Sequence, residues 1–106
     1  MKQHTTPEQT AKLIELGFTQ PKTKLPFEVA NDELGYTYSI GELIGMLPNV
    51  VESEDSEYAT LQMYFDLFNW IIEYTGVEET EYAISAVELI DALYDMIVKL
   101  KDEKII

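Results

Sequence analysis

The chain of 106 residues contains no cysteine, no arginine and a single histidine. Without cysteine there can be no disulfide, no thiolate nucleophile and no thiolate metal site. The one histidine, His4, lies in an N-terminal segment expected to fray, which removes both a Ser-His-Asp triad and a histidine-based zinc site. Five scattered glycines form neither a dinucleotide-binding fingerprint nor a Walker phosphate loop. No apolar run approaches the ~20 residues of a membrane span. Met1-Lys2-Gln3-His4 opens no signal peptide, so the expected address is the cytoplasm. A carboxylate pair would be the remaining catalytic option, but it needs a deep pocket, which short elements in so small a chain seldom build. The expectation is a protein that is not an enzyme and takes neither cofactor nor metal.

Positive charge is also scarce, with 7 Lys+Arg against 20 Asp+Glu and a formal net charge of −13. Lys2, Lys12, Lys22 and Lys24 stand near the start, and Lys99, Lys101 and Lys104 near the end. Between Leu25 and Val98 there is no cation, and sixteen carboxylates lie there. Such a body repels phosphate, which argues against direct binding to nucleic acid or to an anionic membrane surface. An acidic surface serves solubility in the ordinary case. It also suits a basic partner, because charge complementarity raises association rate and selectivity. The residues that would make that contact are Glu52, Glu54, Asp55, Glu57, Glu78, Glu79 and Glu81. Within Glu52-Ser53-Glu54-Asp55-Ser56-Glu57, alternate carboxylates could bind calcium, yet the glycine and the distal glutamate of an EF-hand loop are missing. A solvated loop is the better reading.

What is present is an ordinary globular complement, 46% apolar, enough for one domain over residues 1–106 with a modest core. Thr6-Pro7-Glu8-Gln9 is a capping box with proline at the first helical position, and Gly17 ends the helix, with Phe18 able to fold back onto Leu13. The helix Pro7 to Leu16 is too short to be stable undocked. Residues Thr19 to Tyr38 read as an irregular connection, with Pro21, Pro26, Asn31-Asp32 and Gly35 as turn formers and Leu25, Phe27, Val29 and Tyr36 as its pins to the core. Ser39-Ile40-Gly41-Glu42 is a second capping box, stapled by Tyr38 and Leu43 and stopped at Pro48. The pattern Ser-x-x-Glu-Leu-Ile-x-x-Leu recurs from Ser85 to Leu93, and two independent uses of one capping chemistry explain it better than a duplication.

Residues Tyr58 to Tyr74 hold half of the twelve aromatics. Read as a helix, the segment is apolar nearly all round. Read as strands, Thr60 to Phe65 and Trp70 to Tyr74 form a hairpin through Asp66-Leu67-Phe68-Asn69, with Leu61, Met63 and Phe65 on one face and Trp70, Ile72 and Tyr74 likewise. The hairpin is preferred, with Tyr82 to Ile84 or part of Asn49 to Glu52 as a third strand. The aromatics are expected mainly in the core, leaving Tyr36, Tyr58 and Tyr82 outside. From Ala86 to about Leu100, the positions Ala86, Leu89, Ile90, Leu93, Ile97 and Leu100 repeat at helical spacing, widened by Val87, Tyr94 and Val98. Glu88, Asp91 and Asp95 fill the polar side, and Asp95 is spaced to pair with Lys99. The fold class expected is α+β: two short N-terminal helices, a β-hairpin or small antiparallel sheet, and a long C-terminal helix packed on it.

In order along the chain, the first capped helix ends Glu15-Leu16-Gly17-Phe18, and Tyr38-Ser39-Ile40-Gly41-Glu42-Leu43-Ile44-Gly45-Met46-Leu47-Pro48 follows. The strand Trp70-Ile71-Ile72-Glu73-Tyr74 precedes the helix containing Asp91-Ala92-Leu93-Tyr94-Asp95-Met96-Ile97, and the chain finishes at Ile105-Ile106. This set resembles small proteins of unassigned function from phages and integrated elements of Bacteroides-like gut bacteria. The turn Asp66-Leu67-Phe68-Asn69 departs from the Gly- or Asp-rich turn of that group. The resemblance brings no catalytic residue; it implies a phage or mobile-element protein aimed at a host factor. The functional expectation is therefore a protein that binds another, unidentified protein, with its acidic segments as a decoy for a basic nucleic-acid-binding surface. The rival is a structural or accessory protein that forms homo-oligomers through hairpin edges or aromatic faces. A calcium or small-ligand binder stands behind both.

Overall fold

A computed structural model describes residues 2–24, 36–52, 58–76 and 80–106, with backbone alone for Thr23, Lys24 and Glu81. The fold is α+β, with three helices, a four-stranded antiparallel sheet and a two-stranded ribbon among the described residues.

Helix α1 (Pro7–Glu15) starts as its sequence dictates. Gln9 N donates to Thr6 Oγ1 at 3.1 Å and Thr6 N donates to Gln9 Oε1 at 3.0 Å, which satisfies two donors that have no partner within the helix. At the other end Gly17 takes φ +97°, which glycine tolerates at least cost. Phe18 N then reaches Leu13 O at 3.2 Å and Gly17 N reaches Ile14 O at 3.0 Å, the paired bonds of a Schellman motif.

The N-terminal segment is not frayed. His4 forms an isolated antiparallel bridge with Ser39, and Thr5 N donates to Tyr38 O at 3.1 Å. Thr5 is buried, and its hydroxyl accepts from Tyr38 N at 3.1 Å and meets the buried Thr10 hydroxyl at 2.6 Å. Thr10 spends its proton on Thr6 O at 2.9 Å, so Thr5 is the donor to Thr10. Hydrogen bonding to a distant segment ties down a terminus that is mostly polar from Lys2 to Thr6.

Strands β1 (Thr23–Lys24) and β2 (Tyr36–Thr37) form the antiparallel ribbon. Of the expected pins, Leu25, Phe27 and Val29 lie outside the described residues, and Tyr36 is exposed. Tyr38 anchors this region instead: it is buried and its hydroxyl donates to Thr19 O at 2.6 Å. Burial, and then the Glu42 carboxylate, push its phenol above the ordinary value. Helix α2 (Ile40–Met46) carries the second capping box, with Glu42 N donating to Ser39 Oγ and Ser39 N to Glu42 Oε1, both at 3.2 Å. The staple residues Tyr38 and Leu43 are both buried.

The sheet runs β3 (Val50–Glu52), β4 (Tyr58–Asp66), β5 (Asn69–Thr75) and β6 (Thr80–Ala86), each strand paired antiparallel to the next. The expected hairpin is β4 and β5, and both segments considered for a third strand are used, one on each side. Register places Leu61, Tyr74 and Tyr82 in one row, Met63, Ile72 and Ile84 in the next, and Phe65, Trp70 and Ala86 in the third. Directly opposed residues share a face, so the whole set faces one way. Helix α3 (Leu89–Asp102) lies on that face and buries Leu89, Ile90, Ala92, Leu93, Met96, Ile97 and Leu100. Tyr74 and Ile72 are fully buried beneath it. The Tyr74 hydroxyl donates to Pro48 O at 2.7 Å, and burial pushes its pKa up to about 12.

The second Ser-x-x-Glu copy is not a capping box. Ser85 and Ala86 belong to β6, where Ser85 opposes Ile71, and α3 begins only after Glu88, which makes no side-chain cap bond. Val87 accordingly lies exposed between strand and helix rather than on the buried stripe. Pairing with a long neighbouring strand outweighs a local capping signal worth about 1 kcal/mol. Nor does Asp95 pair with Lys99, whose Nζ instead stands 6.0 Å from the centre of the Tyr82 ring. Tyr82 itself is half-buried, not exposed as its sequence context led one to expect.

Candidate functional site

The sheet is longer than the helix that covers it. Where β4 and β5 pass beyond α3, residues that belong by register to the inner face become exposed: Met63, and Phe65 at 54%. The half-buried Trp70 packs against Phe65 with ring centres 5.3 Å apart and planes tilted by 47°. Beyond them the two-residue turn carries Leu67 at 85% and Phe68 at 77% exposure. Asp66 closes the turn, its Oδ1 accepting from Asn69 N at 3.2 Å and its carbonyl accepting from Phe68 N. Leu67 has φ +50°. A position of this kind in a two-residue hairpin turn ordinarily takes glycine, asparagine or aspartate. Leucine there carries both backbone strain and an exposed apolar side chain, and neither helps the fold.

The opposite face of the sheet carries Glu52, Tyr58, Gln62, Tyr64, Asp66 and Glu73 by the same register. Desolvation, and then the neighbouring Glu73 and Asp66 carboxylates, push the Tyr64 hydroxyl above the ordinary phenol value. Three described cations lie elsewhere. Lys2 pairs with Asp91 at 2.7 Å, Lys99 stands over Tyr82, and Lys101 Nζ is 5.4 Å from the centre of the Phe18 ring. No ion pair among the described residues involves Glu52, Asp66 or Glu73. The hairpin end is therefore apolar on one side and acidic on the other.

The sequence-based partner residues fall differently. Glu52 is exposed at the end of β3, opposite Tyr58. Glu81 lies on β6, and only its backbone is described. Glu54, Asp55, Glu57, Glu78 and Glu79 lie outside the described residues. The described residues that border those segments, Glu52 and Tyr58 on one side and Gly76 and Thr80 on the other, share the end of the sheet away from the turn. Across β4 that is about 26 Å from Asp66 at ~3.3 Å per residue. Sequence reasoning missed the exposed hairpin end, because aromatic content alone does not tell a core strand from one that outruns its helix. The unusual turn residues were the available signal.

The loop weighed for calcium lies, beyond Glu52, outside the described residues. No cluster of three or more His, Asp or Glu able to hold a metal ion occurs among the described ones. His4 keeps a buried Nδ1 without a hydrogen-bond partner. No described helix is long and apolar enough to cross a membrane. The chain matches no protein-family model, no curated protein and no solved structure.

Proposed function

We propose that the chain is a non-enzymatic protein-binding module of the cytoplasm, which engages a basic partner through the hairpin end of its sheet. The observation that carries this reading is the turn: Leu67 and Phe68 are almost fully exposed, and Leu67 occupies a positive-φ position. A residue choice that costs stability and exposes apolar surface is accounted for by an interface, where aromatic side chains and methionine are enriched. The sign of the partner follows from the net charge of −13 and from the absence of any cation between Leu25 and Val98. The resemblance to small phage and mobile-element proteins makes a host factor the fitting target, with the acidic surface acting as a decoy for a basic nucleic-acid-binding site. In that arrangement Glu52, Glu54, Asp55, Glu57, Glu78, Glu79 and Glu81 steer the approach and the hairpin end makes the close contact.

The test is affinity capture from a nuclease-treated host lysate washed across a salt series. Retention of one basic protein, released as salt rises and lost when several of those seven acids are reversed to lysine in a still-folded chain, supports the reading. Retention unaffected by salt and by charge reversal contradicts it. The exposed hairpin also favours a second reading, self-association through the same surface. Sedimentation equilibrium separates the two, because a tight dimer that persists at every salt concentration belongs to the second.

A further inference from the structure

Antiparallel strands point the N–H and C=O of alternate residues toward one neighbour and those of the residues between toward the other. Leu61 N donates to Asn49 O at 2.9 Å, on the β3 side of β4. Met63 and Phe65, two and four residues further on, therefore direct their backbone groups to that same side. That bond at Asn49 is the last on this side, one residue past the Val50–Thr60 pair of β3, so among the described residues no strand pairs with Met63 and Phe65. Their side chains are exposed as well. Among the described residues the edge is thus open over about 13 Å, from Gln62 to Asp66. No lysine, proline or bulge blunts it, and its single charge, Asp66, stands at its end.

Resting on the reading above that the partner is basic, we infer that it binds by adding an extended strand to this edge of β4, and that this strand alternates apolar with basic residues. Residues placed opposite Met63 and Phe65 would share their face and need apolar side chains to cover them. The residues between fall on the other face, beside Gln62, Tyr64 and Asp66 with Glu73 behind, where lysine or arginine is matched by carboxylates and by the Tyr64 ring. The backbone of Met63 and Phe65 offers four hydrogen bonds, and the alternation supplies specificity. A second copy could offer a similar backbone, but it would bring together two chains of −13 and set Asp66 and Glu73 of each beside those of the other.

The probe is a capped eight-residue peptide alternating valine and lysine, with an otherwise identical valine–glutamate peptide as control. Binding is followed by amide hydrogen exchange and by titration of the full chain. The lysine peptide should bind at least ten-fold more tightly than the control and should slow exchange at Met63 and Phe65 specifically. Met63→Pro removes an outward N–H without touching the β4–β5 ladder, and Phe65→Lys places a charge on the edge. Each should weaken binding ten-fold or more, while exchange protection in α3 reports that the fold survives. If the lysine peptide binds but protects no β4 edge amide, strand addition is wrong and the basic-partner reading stands. If neither peptide binds and Met63 and Phe65 are already protected in a dimer, a second copy fills the edge and both statements fail.

Discussion

Thr5 and Asp91 each tie the N-terminal segment to a distant part of the chain, and Leu67 does the reverse, spending stability at an exposed turn. Thr5 is a small polar residue, yet it links the N-terminal segment to Tyr38 and Thr10 in a buried network. Thr5→Val leaves the Tyr38 N–H buried without an acceptor, and should cost about 1–3 kcal/mol in chemical denaturation. Leu67→Gly removes positive-φ strain, and should raise stability by a few tenths to about 1 kcal/mol while weakening partner capture; loss of stability would show that Leu67 serves the fold. Asp91 accepts from Lys2 Nζ at 2.7 Å and from Gln9 Nε2 at 2.8 Å. Partial burial disfavours its charge, but these two bonds and the Lys2 charge together outweigh that and hold the carboxyl below its usual range. Its ionised form therefore stabilises the fold above the unfolded value near 3.9, and the contribution is lost as pH falls through the lower folded value. Asp91→Asn should lose up to about 1 kcal/mol at pH 7, a gap that closes in acid. Asp95 is the opposite case, since burial and then the Asp91 charge raise its pKa. Asp95→Asn should be more stable than the native chain at pH 7, and the gain should vanish below about pH 3.9.

At the scale of elements, the two Ser-x-x-Glu copies show what a local pattern can and cannot decide. Ser39 lies two residues beyond the end of β2, and its one strand partner among the described residues is the isolated bridge to His4, so its capping chemistry prevails. Ser85 lies five residues after Thr80, the start of β6, and pairing along β5 carries the strand through it. Ser39→Ala should therefore cost about 1 kcal/mol, whereas Ser85→Ala should be close to neutral, as measured by urea midpoints. Helix ends were legible because caps, Pro7 and Gly17 act within a few residues. The hairpin was legible through alternation and aromatic content, and the stripe of α3 through its three- and four-residue spacing. The start of α3, the anchoring by Thr5 and Thr10, and the open edge of β4 were not. Each depends on which distant segment lies alongside, and nothing local in the sequence encodes that. Of the candidate site, the charge could be read in advance, whereas the protruding surface was signalled only by the unusual turn residues Leu67 and Phe68.

For the whole molecule, charge and shape divide the work. Lys2, Lys99 and Lys101 lie against Asp91, Tyr82 and Phe18, and no ion pair among the described residues involves Glu52, Asp66 or Glu73 of the sheet. Self-repulsion in a chain of −13 should be relieved by screening, so the thermal midpoint should rise as sodium chloride goes from low to physiological concentration. A fall would mean that the few ion pairs outweigh the general repulsion. The central claim is that the exposed end of the β4–β5 hairpin is an interface. Its most direct test is to titrate the captured basic partner against the native chain and against a Phe65→Ser, Phe68→Ser double variant, with exchange protection of α3 confirming the fold of each. The account predicts at least a ten-fold loss of affinity in the variant; equal affinities would contradict it and return those side chains to the role of incidental surface.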